Sequence, residues 1–174
     1  KNNIDVRDLE KLARSISDTL SSEFFTKVNV GIGTPVVGVK DLARSFKEAQ
    51  TALEVGKVFD TDKNIVSYDN LGIARLIYHL PTTLCETFLK EVFKKNSIES
   101  LDHETLFTIQ KFFENSLNVS ETSRKLFVHR NTLVYRLDKI KKLTGLDLRE
   151  FDHAIIFKIA LMVKKYLAAN PTKF

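Results

Sequence analysis

From Val6 to Leu20, apolar side chains recur at three- and four-residue steps (Val6, Leu9, Leu12, Ala13, Ile16, Leu20), with Asp5 placed as a cap. That spacing predicts an amphipathic helix over residues 5–20. Lys27 to Gly33 then switches to alternation, with Val28, Val30 and Ile32 set against Lys27, Asn29 and Gly31 before Thr34-Pro35. This predicts a strand. A second helix is expected from Val39 to Phe59 with its buried stripe on Leu42, Phe46, Ala49, Leu53 and Val58, and a short strand at Ile65–Tyr68. Leu71–Leu80 reads as one or two helical turns closed by Pro81, and Thr83–Lys95 as an amphipathic connector through Leu84, Phe88, Val92 and Phe93.

Beyond Ser100 the periodicity is helical throughout. Lys-Lys-Asn-Ser at 94–97 breaks it, so the functional boundary is placed between Lys95 and Asp102. The expected organisation is an α/β segment at 1–80, a connector at 81–101 and an all-helical domain at 102–174. As a fold class this is α+β and predominantly helical. In the last part, Asp102 can cap a helix with the stripe Leu106, Ile109, Phe113 and Leu117, and Ser120 can cap a second running to about Phe127. A third carries the seam Leu133, Leu137 and Ile140 and ends at Gly145. Phe151–Leu167 is apolar nearly all round, more than one core face needs, which leaves room for pairing with a second subunit.

Charge sharpens this picture. Residues 118–149 hold eight Lys or Arg against three acids, and the rest of the chain balances at 19 against 19. The whole net charge of +5 is therefore focused on one stretch, an electrostatic footprint for phosphate. No acid occurs from 122 to 137. Two short helices joined by a tight turn, with small Ser123 where they cross and Leu126 and Val128 flanking the turn, form the pattern of a DNA-binding helix-turn-helix. The third helix would then lie in the major groove. Arg130 and Asn131 sit at its start, and these side-chain types can bond guanine and adenine edges bidentately. Thr132, Tyr135, Lys139 and Lys142 suit phosphates, which fix register, and Arg136 faces outward or flanks the seam. His129 can contact DNA or serve the helix start. Phe127 stands where the motif favours glycine, so the turn must avoid positive φ or carry strain.

At LFVHRNTLVYRLDKIKKLTGLDL (126–148) the chain closely resembles the Fis-like helix-turn-helix of the PucR and CdaR family of bacterial transcriptional regulators. Phe at the turn belongs to that family's pattern. Upstream, VNVGIGTPVVGVKDLARSFKEAQTALEVGK (28–57) looks like the end of the GGDEF-like domain that precedes it in these regulators. The resemblance implies a dimeric, cytoplasmic transcription factor that binds double-stranded DNA through Arg130, Asn131, Thr132 and Arg136. It also implies a small-molecule effector sensed by a region outside this chain. The start at Lys1, with Met162 as the sole methionine, is read as a piece of a longer protein.

Several function classes fall away. The longest apolar run, Ala154–Val163, is interrupted by Lys158 and is half a membrane span, and the polar start carries no signal peptide. A sole cysteine, Cys85, permits no internal disulfide and is expected to pack, in keeping with a reducing compartment. His79, His103, His129 and His153 are dispersed without zinc-ligand spacing, so neither metal nor cofactor is expected. Gly33–Gly38 fails as a phosphate loop at Val39, where Lys is required. A nucleotide cyclase, the enzymatic rival raised by a GGDEF-like segment, needs two glycines followed by metal-holding acids, and that hairpin is absent. No catalysis is expected. The alternatives are a degenerate GGDEF-type nucleotide-binding or cyclase fragment, or a protein-interaction or dimerisation module.

Overall fold

A computed structural model describes residues 6–59, 62–93 and 101–170. Among them the chain forms α1 (Val6–Phe24), β1 (Val30–Ile32), α2 (Leu42–Phe59), β2 (Ile65–Ser67), α3 (Ile73–Tyr78), α4 (Thr82–Phe93), α5 (His103–Glu114), α6 (Val119–Lys125), α7 (Arg130–Thr144) and α8 (Phe151–Ala169). The predominantly helical α+β class is as expected. The chain divides into two compact units, residues 1–81 with 165–174, and residues 82–164. The expected cap Asp5 and the boundary placed between Lys95 and Asp102 fall on or beside residues outside those described.

In the first unit β1 and β2 pair in parallel, Val30 opposite Ile65 and Ile32 opposite Ser67, joined by α2 as a β-α-β crossover. The strand at 27–33 is trimmed to the three residues that find a partner. The expected stripe on α2 is rotated: Leu42 and Phe46 are exposed, whereas Ala52, Val55 and Gly56 are buried. The cause is how tightly helix and strand approach. A Cβ on Gly31 would lie 2.2 Å from the Ala49 carbonyl oxygen, and one on Gly33 would lie 2.0 Å from that of Ser45. Only the small residues Ser45, Ala49, Ala52 and Gly56, at helical spacing, fit that seam. The same holds on α1, where Ala13 and Ser17 are buried while Leu12 and Ile16 lie outside. Asn64 donates to the Ser17 hydroxyl at 3.1 Å, which satisfies the buried polar group.

The second unit closes around Phe93, Leu101, Ile109, Phe112, Leu133, Leu137, Ile140, Leu148, Phe157 and Ala160. Phe93 meets Phe157 edge-to-face at 5.7 Å. Helix α4 contributes through Phe88, Leu89 and Val92, with Cys85 buried and Leu84 exposed, one position off the expected face. On α5, Asp102 is the cap as expected, its carboxylate accepting from the Thr105 amide. The buried face is Thr105, Thr108, Ile109 and Phe112, whereas Leu106 and Phe113 are only partly covered. Leu117 is not helical: Ser116 and Leu117 adopt positive φ (52° and 61°) and turn the chain after Glu114, with the Leu117 amide returning to the Phe112 carbonyl.

Candidate nucleic-acid interface

Helix α6 begins one cap earlier than expected. Asn118, not Ser120, accepts from the Glu121 amide, and the helix stops at Lys125. Buried Ser123 donates its hydroxyl to the Ser120 carbonyl inside its own helix, leaving α6 free to pack closely on α7. Leu126 and Val128 reach the core from the turn. Between them Phe127 takes φ 55° and is 97% exposed, so the strained alternative of the two foreseen for this turn is the one adopted.

His129 caps α7: its Nδ1 accepts from the Asn131 amide at 3.2 Å. The seam Leu133, Leu137 and Ile140 is fully buried, and Gly145 at φ 79° closes the helix by returning its amide to the Lys141 carbonyl. With that seam inward, helical geometry turns Asn131, Tyr135 and Lys142 to the opposite side. All three are exposed, as are Arg130, Thr132 and Lys139. Five of the eight expected contact residues thus stand in solvent on or beside one face, with Arg130 exposed at the first helical position, nearer the seam, and His129 exposed at the cap.

Arg136 is placed differently. Its guanidinium pairs with Glu104 and donates to the buried Thr108 hydroxyl at 3.2 Å, so α5 holds it. Lys139 is likewise paired, 3.0 Å from Asp102. Those hydrogen bonds from Thr105 and Lys139 hold the Asp102 carboxyl well down, at about 2. Beyond α7, Asp147 is 5% exposed and receives Arg149 through Nε (2.7 Å) and Nη2 (2.8 Å) and Lys141 at 3.1 Å. Chiefly because of Arg149, its carboxyl lies far below the ordinary range. Arg149 also reaches Asp138 at 2.8 Å, tying the loop after α7 back to the helix. With Arg124 paired to Glu121, five of the eight cations in the basic stretch are engaged. Lys125, Arg130 and Lys142 make no ion pair with any described residue. Lys125 was not among the expected contacts. Its signal was its place in the last turn of α6, next to the motif's turn.

Three helices, α5 packed against α6 and α7, with a four-residue turn before an exposed basic helix, define a helix-turn-helix unit. Residues 105–163 match the PucR C-terminal helix-turn-helix domain, and residues 3–55 match the GGDEF-like domain. The chain carries both, and its relatives are regulators of the PucR and CdaR type. It is 29% identical over 161 residues to the carbohydrate diacid regulator of Escherichia coli, covering 91% of this chain and 41% of that protein. It is 26% identical over 150 residues to the purine catabolism regulatory protein of Bacillus subtilis, covering 86% and 28%. To the DNA-binding transcriptional activator AdeR of Bacillus subtilis it is 28% identical over 167 residues, covering 91% and 38%. The chain spans less than half the length of these relatives. No described helix is long and apolar enough to cross a membrane.

Proposed function

We propose that this chain is the DNA-binding part of a transcriptional regulator, with α7 as the helix that enters the major groove. The observation that carries the reading is the set of Asn131, Tyr135 and Lys142 on the face of α7 opposite its buried seam, with Arg130 exposed at the helix start, Arg130 and Lys142 making no ion pair with any described residue. Relatives whose names describe them as regulators and as a DNA-binding activator support it. Arg130 and Asn131, at the helix start, are assigned to base edges. Thr132, Tyr135, Lys142 and Lys125 are assigned to phosphate. Arg136 and Lys139 are assigned to DNA only to the extent that phosphate displaces Glu104 and Asp102.

The proposal includes a homodimer on a roughly palindromic operator, for which exposed Phe151 and Ile155 on α8 offer an apolar surface. It further includes cytoplasmic residence, an effector sensed outside this chain, and no catalysis. Selection of duplexes from a random pool, followed by variants, tests the assignment. Arg130→Ala should cost about 1–3 kcal/mol and relax specificity at one base pair, while Lys142→Ala should weaken all duplexes evenly. Equal losses on every sequence for both variants would refute the division between base and phosphate contacts.

A further inference from the structure

Phe127 is the least explained side chain of the helix-turn-helix. Its backbone lies in the left-handed region at φ 55°, which disfavours a side chain of this size and suits glycine. Its ring is 97% exposed, so no packing within the unit offsets that strain. The neighbours that fix the turn are Leu126 and Val128, both packed on the core, together with the backbone bonds from the Phe127 amide to the Arg124 carbonyl (3.1 Å) and from the Val128 amide to the Ser123 carbonyl (3.0 Å). None of these requires an aromatic ring at 127. In the chain Phe127 falls between Lys125 and Arg130, both exposed and free of ion pairs among the described residues, immediately before the helix assigned to the groove. Strain of this kind, held at a position where the fold gains nothing from it, points to a function of the side chain.

Resting on the DNA-binding reading above, we propose that Phe127 is an apolar DNA contact, its ring covering the 5-methyl group of a thymine at the edge of the major groove. Flanking cations make an apolar protein partner a poor match for this spot and a polyanion a good one. Among base-edge features, the thymine methyl is the one an unfunctionalised ring can recognise. The contact continues the face formed by Arg130 and Asn131 and adds a specificity element on the turn that hydrogen-bond donors cannot supply.

The test uses Phe127→Gly, since glycine relieves the backbone and removes the ring. The full chain and the variant are compared for thermal melting, sedimentation, and binding to a duplex selected from a random pool by the unaltered chain, in thymine and uracil versions. The variant is expected to melt at the same or a higher temperature and to sediment unchanged. It should bind the thymine duplex at least about fourfold more weakly, the size expected for one buried methyl-sized group. On the uracil duplex the two proteins should bind alike. Equal binding of both proteins to the thymine duplex overturns the proposal, as does the same loss on both duplexes. A changed sedimentation coefficient of the free variant would assign the ring to a protein contact instead. If the unaltered chain selects no duplex at all, the DNA-binding reading itself fails, an outcome distinct from a bound chain indifferent to Phe127.

Discussion

Asp102→Asn isolates one consequence of the geometry with little collateral change. In the native chain one carboxylate oxygen caps α5 by accepting from the Thr105 amide at 2.7 Å, and the other holds Lys139 at 3.0 Å. Asparagine keeps a capping oxygen of equal quality and removes the charge, so α5 stays capped while Lys139, 47% exposed, is released toward solvent. Acidification cannot do the same. The Asp102 carboxyl is depressed from 3.8 to about 2, so its contribution to stability is present above its unfolded value and is lost only as pH falls through about 2. Each additional phosphate neutralised steepens the plot of log affinity against log salt by about 0.9, which at 0.1 M salt amounts to on the order of eightfold tighter binding. The assay is fluorescence anisotropy on a random-sequence duplex between about 50 and 200 mM salt, the range over which phosphate contacts dominate the response. The variant should bind every duplex more tightly with a steeper slope. An unchanged slope would mean that Lys139 does not face phosphate. Weaker binding with helicity intact would mean that the pair positions α7 instead of masking it.

Packing sets four further outcomes. Arg149→Ala strips two hydrogen bonds from nearly buried Asp147 but leaves Lys141 in place, and Arg149 is itself a third exposed. The loss should therefore be about 1–3 kcal/mol by denaturant unfolding, with the fall in stability on acidification moved to higher pH because the Asp147 carboxyl is less depressed. Gly145→Ala meets no atom within 4 Å, so its cost, read from the melting temperature, should be the left-handed backbone alone, about 1 kcal/mol. Gly33→Ala, facing the Ser45 carbonyl, should exceed that. The Cys85 thiol is buried and its pKa raised by that burial, so a thiol reagent should label it only on unfolding, and prompt labelling of the folded chain would contradict the packing.

What was legible in the sequence was whatever depends on period and local chemistry. The seam Leu133, Leu137 and Ile140, the cap at Asp102 and the stop at Gly145 each follow from residues within a few positions of one another. The expected faces of α1 and α5 hold Ala13 and Ile109, which are buried, but the stripes of α1, α2 and α5 otherwise lean too far on large apolar residues. Close packing on the strands also selects small residues outside those stripes, Ser17, Ala52 and Gly56, and Thr108 is buried because Arg136 satisfies its hydroxyl. The cap at Asn118 had a signal, Glu121 three residues on, as in a capping box. In the candidate interface, the exposed row on α7 could be read from the wheel. The pairing of Arg136 and Lys139 could not, since Glu104 and Asp102 lie more than thirty positions away and no local rule joins them.

Whether DNA is bound by the exposed face of α7 can be measured by anisotropy binding to a random duplex pool across a salt series, beside an Arg130→Ala/Asn131→Ala/Lys142→Ala variant with unchanged circular dichroism. Steep salt dependence is expected for the native chain and, for the variant, binding weakened by at least tenfold at moderate salt with a slope shallower by about 0.9, since Lys142 is the one phosphate-neutralising cation removed. Equal affinity and equal slope for the two proteins would contradict binding by that face.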